Sequence, residues 1–210
     1  MVGDSKVTLT LSNGPSTVKV VKSAQVLAEQ AANAPAVVGV TGELAATGRA
    51  QSSQSTFDRH QFRLRSLWPE GGAIAKLRWH GRGPTSASEE LFVTEGTSDT
   101  DLARGPGWYE GTARPADDGN IAIAGHRTGF GAPFGDLNRM QAGDALTLTT
   151  SRGDVRTFRV AKKMLVDPDA TWVLGPDVLR DGSNTLTLTT CDPPGINTKR
   201  LIVVARETWQ

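Results

Sequence analysis

Apolar and polar residues alternate along much of this chain in short runs, a period that predicts strands rather than helices. Residues 6–12 (KVTLTLS) are the first such run, with Asn13-Gly14 as a turn signal. Val20, Ala24, Leu27 and Ala31 then share one helical stripe, which predicts a weak, alanine-rich helix. Residues 45–55 are small and polar with almost no anchoring side chains, and they read as linker. From about Gly71 onward short strands and turns dominate. Residues 73–79 (AIAKLRW) and 90–94 (ELFVT) are strands separated by the polar, glycine-containing stretch 81–90. A single helical turn over 100–104 has Ser98 or Asp99 as its cap.

Residues 120–124 (NIAIA) form a strand that delivers Gly125 and His126 at its end, and a short helix or turn follows over 133–140. Residues 145–150 (ALTLTT) and 155–160 (VRTFRV) flank Ser151-Arg152-Gly153-Asp154, a hairpin turn. Residues 185–190 (TLTLTT) alternate strictly up to Cys191, and 201–205 (LIVVA) are almost wholly apolar. Many short strands with Gly, Pro and Asp between them favour an all-β barrel over alternating βα units. Two units are expected: an N-terminal extension over 1–66, and a folded domain over 67–210.

Composition narrows the function. The chain has 210 residues, is 38% hydrophobic and carries a formal charge of +1, so nothing global marks a nucleic-acid binder. The charge is uneven: residues 51–83 sum to about +4 and residues 84–121 to about −6, which reads as solvated surface. A lone cysteine excludes an intramolecular disulfide and a clustered cysteine metal site. The acidic residues between 89 and 118 match no calcium-loop spacing, and neither metal nor cofactor is expected. No run of 18 apolar residues and no signal-peptide pattern is present.

Three residues stand where chemistry is possible. Cys191 follows a strand and precedes Asp192-Pro193-Pro194, which stops both helix and ladder. It is either a buried inert cysteine or a thiol at the mouth of a sheet. His126 has the same strand-end placement, and an adjacent base shifts a thiol toward its nucleophilic thiolate. Arg200, nine residues beyond Cys191, opens the 201–205 strand and is placed to stabilise an oxyanion. Lys199 is its rival, because alternation sends the two to opposite faces without saying which faces the site. Thr189 and Thr190 likewise alternate, so one hydroxyl lies on the groove side. Asp192 either orients His126 or a main-chain group, or simply serves the turn. Trp108 and Tyr109 are expected to pack beneath the histidine strand.

The segment NTLTLTTCDPPGINTKRLIVVARE resembles the signature of the sortases, TLxTC followed by proline and later by an arginine that opens the last strand. GNIAIAGHRTGFGAPFGDLNRMQAGDALTLTT is similar to that family's histidine block, and VTEGTSDTDLARGPGWYEGTARPADDG to the region before it. Together they span roughly residues 71–210 and are most like the class E type. The resemblance implies a closed eight-stranded β-barrel with short helices, and a cysteine transpeptidase with His126, Cys191 and Arg200 as catalytic residues. Thr128, Phe130, Thr189, Thr190 and Asp192 are the implied substrate-binding positions. The implied partners are an LAxTG- or LPxTG-like sorting signal of secreted proteins, cleaved between Thr and Gly, and a peptidoglycan-precursor amine. The implied location is the extracytoplasmic cell surface, with membrane association through an anchor that residues 1–66 do not resemble. Phe130 stands where relatives often carry Tyr, which loosens the expected reading of the signal's second residue. The family has an alternating apolar strand leading into the VTEGT block, where KLRWHGRGPTSASEELFVTEGT is polar and glycine-rich, so against that pattern the first barrel strands are expected to be shortened or irregular. A non-catalytic β-barrel peptide-binding module is the alternative from another class. An L,D-transpeptidase would place histidine beside its cysteine, where this chain has Thr190 and Asp192.

Overall fold

The computed structural model describes the backbone of Val7–Thr10, Val18–Val21 and residues 41–69, 71–80 and 90–208, with side chains for 53–69, 71–79 and 90–208. Strands β1 (Val7–Thr10) and β2 (Val18–Val21) pair antiparallel with Val7 opposite Val21. Val20 therefore lies in a strand rather than in the expected helix, whose remaining positions fall outside the described residues.

Eight further strands close into a barrel: β3 (Ala73–His80), β4 (Glu90–Glu95), β5 (Gly107–Trp108), β6 (Asn120–Ala124), β7 (Ala145–Thr150), β8 (Val155–Val166), β9 (Thr185–Asp192) and β10 (Lys199–Glu207). Their order around the ring is β10-β8-β7-β3-β4-β5-β6-β9, which is the expected closed eight-stranded architecture. β6 and β9 run parallel, and β9 completes the ring between β6 and β10. β3, expected to be irregular, pairs with both β4 and β7; its one register shift lies between Ala73 and Ala75.

The barrel interior takes every second side chain, as the strand period requires. Leu146 and Leu148 of β7, Ile121 and Ile123 of β6, Leu186 and Leu188 of β9, and Leu201, Val203 and Ala205 of β10 share one buried cluster. The opposite faces of β6, β9 and β10 are also covered. A four-residue helix, Asp99–Leu102, lays Leu102 on Ala122, Ala124 and Tyr109. Ser98 caps it in a capping box with Asp101. The 3-10 turn Thr171–Leu174 lays Val173 on Ile202 and Val204. Between these covers two threonines of β9 find their partner in one amide. Thr185 and Thr187 donate to Asn120 Oδ1 at 3.0 and 2.7 Å, while Asn120 Nδ2 donates to the carbonyls of Val173 and Gly175. Each buried hydroxyl is thus satisfied on a strand with no solvent face.

At one end of the barrel Arg156 binds Glu207 through two contacts of 2.6 and 2.7 Å, and its Nη1 donates to the carbonyls of Pro115 and Asp117. That fork ties β8, β10 and the β5–β6 connection together.

The stretch 45–55, expected as linker, is helical: α1 runs Thr41–Leu67. Its C-terminal half packs on the barrel. Phe57 belongs to the main core cluster. One turn later the Gln61 amide accepts from Phe92 N–H at 2.9 Å and donates to the carbonyls of Phe92 and Arg104. Trp68 meets the Phe92 ring edge-on at 5.6 Å. The boundary expected near residue 66 therefore falls at the end of a helix that shares the barrel's core. Among the described residues no helix is long and apolar enough to cross a membrane.

Candidate active site

Cys191 is the penultimate residue of β9 and stands directly opposite Arg200 in the antiparallel pairing with β10. Side chains on directly opposed residues share a face, so the thiol and the guanidinium lie on the same side of the sheet. That side is the outer one, because Leu201 and Val203 point into the barrel. Arg200 is 3% exposed, and its Nη1 donates to the carbonyls of Asn197 and Lys199, which anchors the guanidinium on its own turn. Lys199 is exposed and reaches Asp167 at 2.6 Å. The register thus supplies the phase that alternation lacked, and the cation beside the cysteine is Arg200.

His126 arrives from β6. The parallel register ends at Ala124 opposite Thr189, and Gly125 N–H still donates to the Thr189 carbonyl at 3.1 Å. Two residues further along each chain, His126 is level with Cys191. By parity His126 shares the outer face with Ala122 and Ala124. Gly125 is required by space: a Cβ there would fall 2.6 Å from the Phe134 ring. Phe134 N–H closes the loop by donating to the His126 carbonyl at 3.0 Å. Within that loop Gly129, Phe130, Gly131 and Ala132 all have positive φ, between 43° and 75°. For Phe130 and Ala132 this conformation costs on the order of 1–3 kcal/mol each. Phe130 stacks on the imidazole with centroids 4.9 Å apart.

Burial disfavours the charged form of both side chains. Burial pushes the Cys191 thiol above its ordinary value, and the Arg200 charge opposes this. Burial pulls His126 below its ordinary value, and Asp99 at the start of the short helix opposes that. His126 Nε2 is buried without a hydrogen-bond partner among the described residues.

The other expected positions separate. Thr189 lies on the face of Cys191 and Arg200, and its hydroxyl pairs with Tyr109 Oη at 2.8 Å. Thr190 points to the opposite face and donates to the Gly125 carbonyl at 2.7 Å, so it ties β9 to the histidine strand and lies away from the face of Cys191 and Arg200. Thr128 is exposed on the histidine loop, with Phe130 half-buried behind it. Asp192 stands 3.9 Å from Arg127, the neighbour of His126. Trp108 and Tyr109 are buried beside β6, as expected. A cleft of about 10 Å³ lined by Tyr109, Thr189, Arg200 and Ile202 has room for a water molecule but not for a side chain. Two residues escaped the sequence reading. Arg127 is almost wholly buried and joins the histidine loop to the cysteine strand. Asp99 was read only as a cap. No group of three or more metal-ligating side chains occurs among the described residues.

Residues 85–208 match the family model for the sortase domain, more than half of the chain. Sortase D of Bacillus subtilis is 36% identical over 104 residues, covering 50% of this chain and 49% of that protein. Sortase SrtE1 of Streptomyces coelicolor is 34% identical over 98 residues, covering 44% and 28%. The chain thus spans about half the length, or less, of the curated relatives it matches. Sortase E from Streptomyces avermitilis superposes with a TM-score of 0.55 at 32% identity, covering 65% of this chain and 88% of that one.

Proposed function

Because the chain belongs to the sortase family, we propose that it is a cysteine transpeptidase in which Cys191, His126 and Arg200 carry the reaction. The observation that supports this most is the pairing of Cys191 with Arg200 on one face, with His126 level beside them on the parallel neighbour.

The substrate is a sorting-signal peptide of the LAxTG or LPxTG kind. The Cys191 proton passes to the imidazole, and the sulfur attacks the Thr carbonyl carbon. A C–S bond forms, and the oxygen takes up negative charge. Arg200 donates to that oxyanion, which it meets without reorganisation because two carbonyls hold it in place. The C–N bond to Gly then breaks as His126 returns its proton to the leaving amine. A cell-wall precursor amine, deprotonated by His126, attacks the thioester; the new C–N bond forms and the thiol is restored. Both exchanges are redox-neutral, and every proton is accounted for by the imidazole. Thr128 and Phe130 border the peptide on the histidine side, Thr189 and Asp192 on the cysteine side. Phe130 offers the signal's second residue a ring without a hydroxyl. Such chemistry belongs on secreted proteins at the extracytoplasmic surface.

Incubation with an LAxTG peptide should give an acyl adduct on Cys191 detectable by mass, absent from Cys191→Ala. Arg200→Ala should lose most turnover while Lys199→Ala retains it; the reverse result, or no adduct on the unaltered protein, would overturn the assignment. The burial of Cys191 favours a second reading, a binding module that keeps the residues without the reaction. That reading predicts binding of the peptide without an adduct, and a thiol inert to iodoacetamide.

A further inference from the structure

The helix α1 packs on the histidine loop through Phe57, and three features connect it to the imidazole. The first is an approach. A Cβ on Gly131 would sit 2.2 Å from the Phe57 ring, so the ring rests on the loop's backbone at that residue. The second is the loop's conformation. Four successive residues, 129–132, have positive φ, and two of them are not glycine. Such backbone persists only where its surroundings over-determine it. The third is the stack: Phe130, the neighbour of Gly131, lies face to face with His126 at 4.9 Å.

The helix has little freedom to slide. Gln61, one turn beyond Phe57, is fixed by its three hydrogen bonds to Phe92 and Arg104. A Cβ at Gly105 would meet the Gln61 amide at 2.2 Å, so that approach is as close as the one at Gly131. Phe57 is itself 7% exposed, in the same apolar cluster as Phe134. Phe134 closes the base of the loop on the His126 carbonyl, while Phe57 presses on its tip.

We propose that Phe57 is a positioning residue for His126: α1 clamps the strained 129–132 backbone through Gly131 and thereby holds Phe130 against the imidazole. Without that pressure the loop relaxes toward ordinary φ values and the stack opens. The helix so becomes part of the apparatus that aims the proton carrier. The kinetic side of this inference rests on the transpeptidase reading above; the spectroscopic side does not.

The test uses the full chain carrying Phe57→Ala, with His126 ring resonances assigned by comparison with His126→Gln. The aromatic stack gives those ring protons a ring-current shift, which should fall toward the unstacked position in Phe57→Ala while the β9 and β10 amide resonances stay in place. Turnover of a sorting-signal peptide should fall on the order of tenfold in kcat because the imidazole is misaimed, and KM should rise as well because Phe130 leaves its place beside the peptide. Phe57→Leu, which keeps an apolar side chain on Gly131, should restore most of both signals. Gln61→Ala, which loosens the helix one turn away without opening the core, should move both in the same direction and serves if Phe57→Ala does not fold. Unshifted His126 resonances with normal kcat in Phe57→Ala would overturn the proposal. So would activity lost only in proportion to the unfolded fraction while the folded fraction keeps its His126 signals. If the unaltered protein forms no acyl adduct, the transpeptidase reading fails, and the ring resonances still decide the clamp.

Discussion

Gly125→Ala tests how narrowly His126 is placed. The φ of Gly125 lies outside the left-handed region, so alanine brings no backbone strain and only space is at issue. The new methyl would stand 2.6, 2.8 and 2.9 Å from three atoms of the Phe134 ring. Ordinary carbon contacts lie near 3.5–4.0 Å, so the two must part by about 1 Å. Phe134 has no exposed surface and is braced edge-on by Trp79 at 6.0 Å. The end of β6 is the freer partner, and it carries the histidine. Overpacking of this size costs about 1–3 kcal/mol, and at 2 kcal/mol the melting temperature should fall by roughly 4–8 °C in a domain of this length. A displacement of about 1 Å at a proton carrier should cost about 10²-fold in rate, far more than the small unfolded fraction explains. Thermal melts and peptide turnover on one preparation read both quantities. Adding Phe134→Leu should return part of the rate while lowering stability further, since leucine relieves the clash but leaves a cavity. A single variant melting within about 1 °C of the parent, with turnover within about twofold, would refute the idea that this glycine sets the histidine's position.

For the proposed reaction, the lowered His126 value and the raised Cys191 value predict a bell-shaped pH dependence of kcat/KM. Its acid limb should lie below the ordinary histidine value of 6.5 and its alkaline limb above the ordinary cysteine value of 9.0. Asp99→Asn should move the acid limb further down, because that carboxylate raises the His126 value; an unchanged limb would remove Asp99 from the site. At the barrel's end, Glu207→Gln should cost about 2–3 kcal/mol in urea titrations at neutral pH, by leaving the Arg156 fork without its charged acceptor. The hydrogen bond from Arg156 holds Glu207 below its ordinary 4.5. Its stabilisation is therefore complete above that value and lost as pH falls through the lower, folded-state value. The difference between parent and variant should shrink over that acid range; a constant difference would contradict it.

The strands with one covered face were readable because apolar and polar residues alternate, as Leu146 and Leu148 do in β7. β8 was readable only to Val160. It continues to Val166 through exposed Ala161, Lys162 and Lys163, where the ladder to β10 holds the chain although burial does not. The helix α1 escaped notice because few of its side chains are apolar. One aromatic and one glutamine an i,i+4 step apart dock it, and a hydropathy pattern registers only the first. At the site, Cys191 and Arg200 could be picked out by spacing, yet Arg200 against Lys199 and Thr189 against Thr190 are questions of phase. Phase is set by which strand lies alongside, and that information is held in β6 and β10, not in β9. The contact of Asp192 with Arg127 was illegible for the same reason.

The position of β9 between β6 and β10 also bears on when the thiol acquires its neighbours. β6 and its parallel partner are joined by some 60 residues of intervening chain, so their pairing is among the slower contacts to form. Until that strand seats itself, the cysteine has neither the arginine across from it nor the histidine alongside. A nascent or partly folded molecule thus carries an ordinary sulfhydryl, and the grouping of Cys191 with Arg200 and His126 arrives only with closure of the ring. Alkylation of Cys191 during refolding would therefore serve as a clock for the last event in assembly.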